Sequence, residues 1–275
     1  MRGMTPEDVY ELRAASDPRL SPDAATIAFT ITGTDKEKND YTSAIWFAPA
    51  DGSATPRAFT SGDAKDGSPR WSPDGSMLAF VSTRAGDVKA PAQLYVIPTS
   101  GGEARKLTGL KESISSPAWS PDGTRIVFCA RVRDEAYEVE DNRKRPARRF
   151  RRLMFKLDNE GWIGDRRQHL FVVPADGSAP PKQLTDGDFD DSSPVWSPDG
   201  KRIAFASARH DDWDIEPDTD IFVVDAAGGE PEQLTDTDGF CAMPSWSPDG
   251  TRIAYTWAPW GWVSPSHNQV AVLDV

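Results

Sequence analysis

One pentapeptide constrains this chain more than any other feature. Trp-Ser-Pro-Asp-Gly recurs at 71–75, 119–123, 196–200 and 246–250, and a degenerate Leu-Ser-Pro-Asp-Ala occupies 20–24. Ser-Pro-Asp-Gly is a tight-turn sequence: Pro presets φ at the second position and Gly accepts positive φ after the Asp. Each copy is followed by a short alternating run: TIAF, MLAF, RIVF, RIAF or RIAY. Period-two alternation on both flanks predicts that the turn joins two antiparallel strands. In the first copy Ala24 stands where the others have Gly, so that turn must differ or carry strain.

A second signature follows each hairpin. IWFAPADG starts at 45, LYVIPTSGG at 94, LFVVPADG at 170, IFVVDAAGG at 221 and QVAVLDV at 269. A closing run then ends in Phe-Thr or Leu-Thr at Thr60, Thr108, Thr185 and Thr235. Four strands in a repeat of about 50 residues is the pattern of a propeller blade. The fold class is therefore all-β, a β-propeller of four-stranded antiparallel blades. From the aromatic residue that ends the second strand to the third strand, the steps are 16, 14, 42, 16 and 14 residues. The third repeat thus carries about 26 extra residues within 131–168. From the third strand to the closing Thr the steps are 15, 14, 15 and 14, so the fifth repeat should close near 283 or 284. The sequence stops at Val275. The expectation is five blades, the last incomplete, in an N-terminal propeller domain over 1–275 of a longer protein. An apolar strand such as VAVLDV is seldom left unpaired at a sheet edge.

Composition narrows the function classes. With 31 Lys and Arg against 43 Asp and Glu the net charge is −12, which argues against nucleic-acid binding. There is no apolar run long enough for a membrane helix, and the first 17 residues have no secretory h-region. Cys129 and Cys241 form no CxxC motif or disulfide framework, and Cys129 reads as a small core residue. A cytoplasmic setting is expected. Thr5-Pro6-Glu7-Asp8 reads as an N-cap, Pro at N1 and acids in the first turn, so a short helix over about 5–13 should precede the first blade.

Four further stretches carry a resemblance. They are MTPEDVYELRAASDPRLSPD at the start, NDYTSAIW at 39–46, LDNEGWIGDRRQHLFVVPADG at 157–177, and LTDGDFDDSSPVWSPDG followed by SARHDDWD. Together they resemble the N-terminal propeller of prolyl-oligopeptidase-family serine peptidases, in the branch of acylaminoacyl peptidases and bacterial dipeptidyl aminopeptidases. The resemblance covers essentially the whole chain. It implies a propeller of about seven blades over a C-terminal α/β-hydrolase domain with a Ser-Asp-His triad. It also implies that the propeller admits only small peptides. The hydrolase domain is absent here, and no G-x-S-x-G nucleophile elbow occurs. No catalytic residue is therefore assigned, and no cofactor or metal is expected. The expected partners are the protein's own hydrolase domain and short peptide substrates, with a homo-oligomer left open; nucleic acid and membrane are not expected. The alternative is a non-enzymatic TolB-like propeller serving as a protein-binding scaffold.

The remaining candidates have two readings each. His169, His210 and His267 read as loop or surface residues rather than a triad member, since no elbow-like Ser accompanies them. The acidic loop 210–220 has oxygen ligands at alternating positions that suit calcium, but its Asp, Pro and Thr equally suit solvated turns. The insertion 131–168 holds 12 basic and 8 acidic residues, concentrated as basic in 143–156, which leaves −16 on the rest of the chain. It reads as a solvated loop, as a segment docked on an acidic surface of the same protein or a second subunit, or as an anionic-ligand patch. Pro146 and the missing helical period argue against one long helix there. By the resemblance, Trp162, Asp165 and Arg166 contact the hydrolase domain or the substrate chamber; otherwise Trp162 anchors the long loop on its blade. Trp71, Trp119, Trp196 and Trp246 recur at one place per repeat and read as inter-sheet packing. Trp257, Trp260 and Trp262 cluster in the fifth repeat, as a binding surface or as cover over an incomplete core.

Overall fold

A computed structural model describes residues 3–84, 90–139, 141–158, 160–216, 218–259 and 267–275. Trp260 and Trp262 lie outside the described residues. The N-terminal helix is a single 3-10 stretch, Pro6–Glu11, entered where the Thr5 N–H donates to Asp8 Oδ2 at 2.7 Å. It is shorter than the expected 5–13, because the backbone is already extended at Leu12, with φ of −67° and ψ of 136°, ahead of the first strand at Ala14.

Antiparallel sheets follow one another along the chain. The first contains β1 (Ala14–Leu20), β2 (Thr26–Asp35), β3 (Asp40–Pro49) and β4 (Arg57–Ala58) in that order. The second contains β5 (Asp66–Trp71), β6 (Met77–Ser82), β7 (Gln93–Pro98) and β8 (Arg105–Lys106). Next come β9 (Ile114–Trp119), β10 (Arg125–Arg133), and a small hairpin of β11 (Lys156–Leu157) with β12 (Gly161–Trp162). They are followed by β13 (Arg166–Pro174) and β14 (Lys182–Gln183), and the third sheet has the order β14-β13-β10-β9. The fourth contains β15 (Asp191–Trp196), β16 (Arg202–Ser207), β17 (Asp220–Asp225) and β18 (Glu232–Gln233). The fifth has three strands, β19 (Gly239–Trp246), β20 (Arg252–Pro259) and β21 (Gln269–Asp274).

The pentapeptide makes the same turn five times. Its Ser hydroxyl donates to the Asp carboxylate at 2.5–2.6 Å and accepts the N–H five residues on at 2.9–3.0 Å. The glycine closes it at φ of 68 to 73°. Ala24 adopts the same turn, with its N–H on the Ser21 carbonyl at 2.8 Å and φ of 58°. Of the two readings, strain is the one realised: the turn is kept and Ala24 sits in the left-handed region.

Two devices recur beside it. In β1, β5, β9, β15 and β19 a residue before Pro has positive φ: Asp17, Ser68, Ser116, Ser193 and Met243, at 50 to 54°. Register slips at this point in four of these strands, a bulge that turns the strand end. The closing Thr has an equally fixed task. Thr60, Thr108, Thr185 and Thr235 each accept, on Oγ1, the N–H of the third strand's first core residue at 2.9–3.0 Å.

Two compact units divide the chain: Met1–Ile126 with Pro174–Pro180, and Val127–Val173 with Pro181–Val275. In the first, Ile45, Phe47, Leu78, Phe80, Tyr95 and Ile97 form a core with Trp71 packed on it. Trp71 Nε1 donates to the Arg19 carbonyl at 2.9 Å and Trp119 Nε1 to the Arg70 carbonyl at 3.0 Å. Each repeated Trp there ties its strand to the sheet before it, as its spacing predicts. In the second unit Ala204, Ile221, Val223, Cys241 and Ile253 form a core joined by Trp246 and Trp257. Trp257 is thus cover over the fifth sheet's core. Both cysteines are buried free thiols, and burial pushes both pKa values up.

Candidate functional site

The segment between β10 and β13 forms this site, and it lies within the second unit. It contains two 3-10 turns, Glu135–Tyr137 and Asn142–Lys144, and the β11–β12 hairpin, so it has no long helix. It is anchored by charge. Arg131 reaches Asp190 at 3.1 Å and Glu160 at 2.8 Å. Arg152 pairs with Asp188 at 3.3 Å and Asp214 at 3.1 Å, and also donates to the Asp211 carbonyl. The Leu153 N–H donates to Asp214 at 2.6 Å, and Arg167 donates to Asp188 at 2.7 Å. The Leu153 N–H and then the Arg152 guanidinium hold the Asp214 carboxyl below its ordinary range. The insertion therefore docks on acidic residues of the same chain, and Asp214 of the acidic loop is committed to that contact rather than left for a cation.

A pocket of about 560 Å³ opens in this docked segment. Phe150, Phe155 and Trp162 line one part of it, with ring centroids 4.6, 5.4 and 5.8 Å apart. Arg148 lies over Trp162 at 5.0 Å and over Tyr137 at 5.6 Å, and pairs with Asp165 at 2.9 Å. Arg149, Arg151, Arg152 and Arg167 also line it. Nearby, Trp213 packs under two guanidinium groups, Arg167 at 4.5 Å and Arg152 at 5.5 Å. In and beside this pocket, Arg148 Nε, Arg167 Nη1 and Trp213 Nε1 are buried donors without a hydrogen-bond partner.

Of the residues singled out by sequence, Trp162 and Asp165 meet in this pocket. Trp162 is 39% exposed, while the Asp165 side chain is buried against Arg148. Arg166 is not in the pocket wall. It donates to the Trp162 carbonyl at 2.8 Å and to the Glu160 carbonyl, so it clamps the backbone of the β12 loop. Sequence reasoning placed Arg148 and Arg152 only in a basic run, and missed Arg167 as a member and Trp213 beside the pocket. The interleaving of Phe150 with four arginines at 148–152 was the available signal.

The histidines are dispersed. His169 is a correction: it is buried in β13, because that strand starts three residues earlier, at Arg166. Its Nδ1 lies 3.4 Å from Asp191, which Arg209 already holds through two bonds of 2.9 Å. It stands one residue before the third strand's core, where Gln93 and Asp220 accept hydrogen bonds from Thr108 and Thr235. His210 is part-buried, with Nε2 3.5 Å from Asp218 Oδ1, and His267 is exposed. No hydrogen bond joins a histidine to a serine hydroxyl among the described residues.

Comparison with known proteins agrees with this architecture. The family model for the TolB beta propeller domain matches residues 10–149, and that for the dipeptidyl peptidase IV N-terminal region matches 197–259. The chain is 34% identical over 227 residues to the uncharacterized peptidase YuxL of Bacillus subtilis, covering 80% of this chain and 34% of that protein. It is 28% identical to dipeptidyl-peptidase 5 of Porphyromonas endodontalis, covering 82% of this chain and 34% of that one. Acylaminoacyl peptidase of Pyrococcus horikoshii has the same fold over 97% of this chain and 39% of its own, with a TM-score of 0.72 at 21% identity. The chain spans about a third of the length of the curated relatives it matches. The resemblance to peptidase propellers read from the sequence is borne out by these homologues. With half its residues matched by one model, the chain belongs to the TolB β-propeller domain family.

Proposed function

We propose that this chain is the non-catalytic, substrate-gating propeller portion of a cytoplasmic serine peptidase, built of five blades of which the last is incomplete. Peptide-bond hydrolysis then falls to a Ser-Asp-His triad on residues beyond 275, through acyl transfer and an oxyanion hole. The observation that carries this reading is the relation to a peptidase over 80% of the chain, in a sequence with no nucleophile elbow of its own. In this reading the β12 loop, with Trp162, Asp165 and Arg166, faces the hydrolase domain or the substrate chamber. The half-exposed Trp162 ring supports that role. The match to the TolB beta propeller domain over 10–149 favours the second reading, a non-enzymatic scaffold.

A direct test is incubation of the purified chain with aminoacyl and acylaminoacyl chromogenic substrates. No turnover above the buffer rate is expected. Turnover that survives repurification would overturn the proposal.

A further inference from the structure

The geometry points to a carboxylate-binding site in the insertion pocket. Its ligand is a short peptide that presents a free C-terminal carboxylate beside an aromatic or large apolar side chain. The choice of a peptide rests on the peptidase reading; the anion and the apolar body do not.

Charge comes first. Five arginines line the pocket against three acids, Asp134, Asp165 and Asp188. Arg148, Arg152 and Arg167 are spent on Asp165, Asp188 and Asp214. Arg149 and Arg151 have no acidic partner among the described residues, so the excess positive charge resides on them. Arginine presents a planar fork of donors that matches a carboxylate in two parallel bonds, and the pocket already uses arginine for carboxylates.

Unsatisfied donors come second. Arg167 has a side chain only 7% exposed, and its Nη1 is buried without a partner; the Nε atom of the partly exposed Arg148 is also buried without one. Buried guanidinium donors are rarely left unpaired, and both side chains line this pocket. Shape comes third. The volume of about 560 Å³ falls among small-molecule sites, and the Phe150, Phe155 and Trp162 rings supply an apolar wall beside the charge.

The probes are N-acetylalanylphenylalanine and its C-terminal amide, which share one body and differ in the charge. Titration calorimetry with the whole chain should show the acid binding about tenfold or more tighter than the amide, weakening with added salt. Arg149→Ala/Arg151→Ala changes two exposed side chains and should bring the preference below about threefold while circular dichroism stays unchanged. Trp162→Ala should weaken acid and amide alike. Equal binding of acid and amide, or none, would overturn the site. Inorganic phosphate binding as tightly as the peptide acid would overturn the apolar wall. Neither result bears on the catalytic reading, which is decided by the substrate assay and by serine labelling.

Discussion

Single residues carry the clearest physical statements. Ala24 occupies a turn position that glycine fills in the other four copies, and its φ of 58° places Cβ against the following carbonyl. Substituting Ala24→Gly relieves that repulsion but frees the unfolded chain. The expected net gain is about 0.5–1 kcal/mol in urea unfolding, and a loss would mean the turn is not strained. The turn aspartates make a second prediction. Hydrogen bonds from the neighbouring serine hydroxyls hold Asp74, Asp122 and Asp249 down to about 2. Their folded values lie below the ordinary 3.8, so the stability they add is present above about pH 4 and lost as pH falls toward 2. Melting temperature should therefore drop most steeply between pH 4 and 2. A decline complete by pH 5 would show that other groups control acid unfolding.

Among the elements, the insertion stands apart from the sheets around it. Ion pairs tie it to its neighbours, and Arg152 joins it to both Asp188 and Asp214. Arg152→Ala should speed proteolytic cleavage within 143–156 by about tenfold through local opening, with little change in the global urea midpoint. A midpoint that falls in step with cleavage would make the insertion part of the cooperative core. The contrast explains what the sequence made legible. Turn, third strand and closing Thr repeat within 50 residues, so spacing alone located them, while the hydrogen bond that the Thr hydroxyl accepts came only from the structure. The pre-proline bulge was equally local, marked by Pro two residues before each Trp and before Leu20, and a search for that pair would have found it. The pocket was only half legible. Trp162 and Asp165 stand within one short loop, but Arg152 meets Asp214 across 62 residues and Arg131 meets Asp190 across 59. Nothing in a charge run states which distant acid will neutralise it. His169 was misread for the opposite reason: its strand extends past the apolar run that marked it.

For the molecule as a whole, charge and repeats tell one account. An acidic chain of net −12 carries a locally basic insertion, and Arg131, Arg152 and Arg167 of that insertion pair with acids outside it, at Asp188, Asp190 and Asp214. The central claim is that this propeller serves a serine hydrolase encoded with it. Antibodies raised against the chain should recover the native product from its source cells, and a fluorophosphonate probe should then be applied. The account predicts a covalently labelled polypeptide longer than this chain, with labelling lost on prior heat denaturation. An unlabelled polypeptide of 30.2 kDa would contradict it.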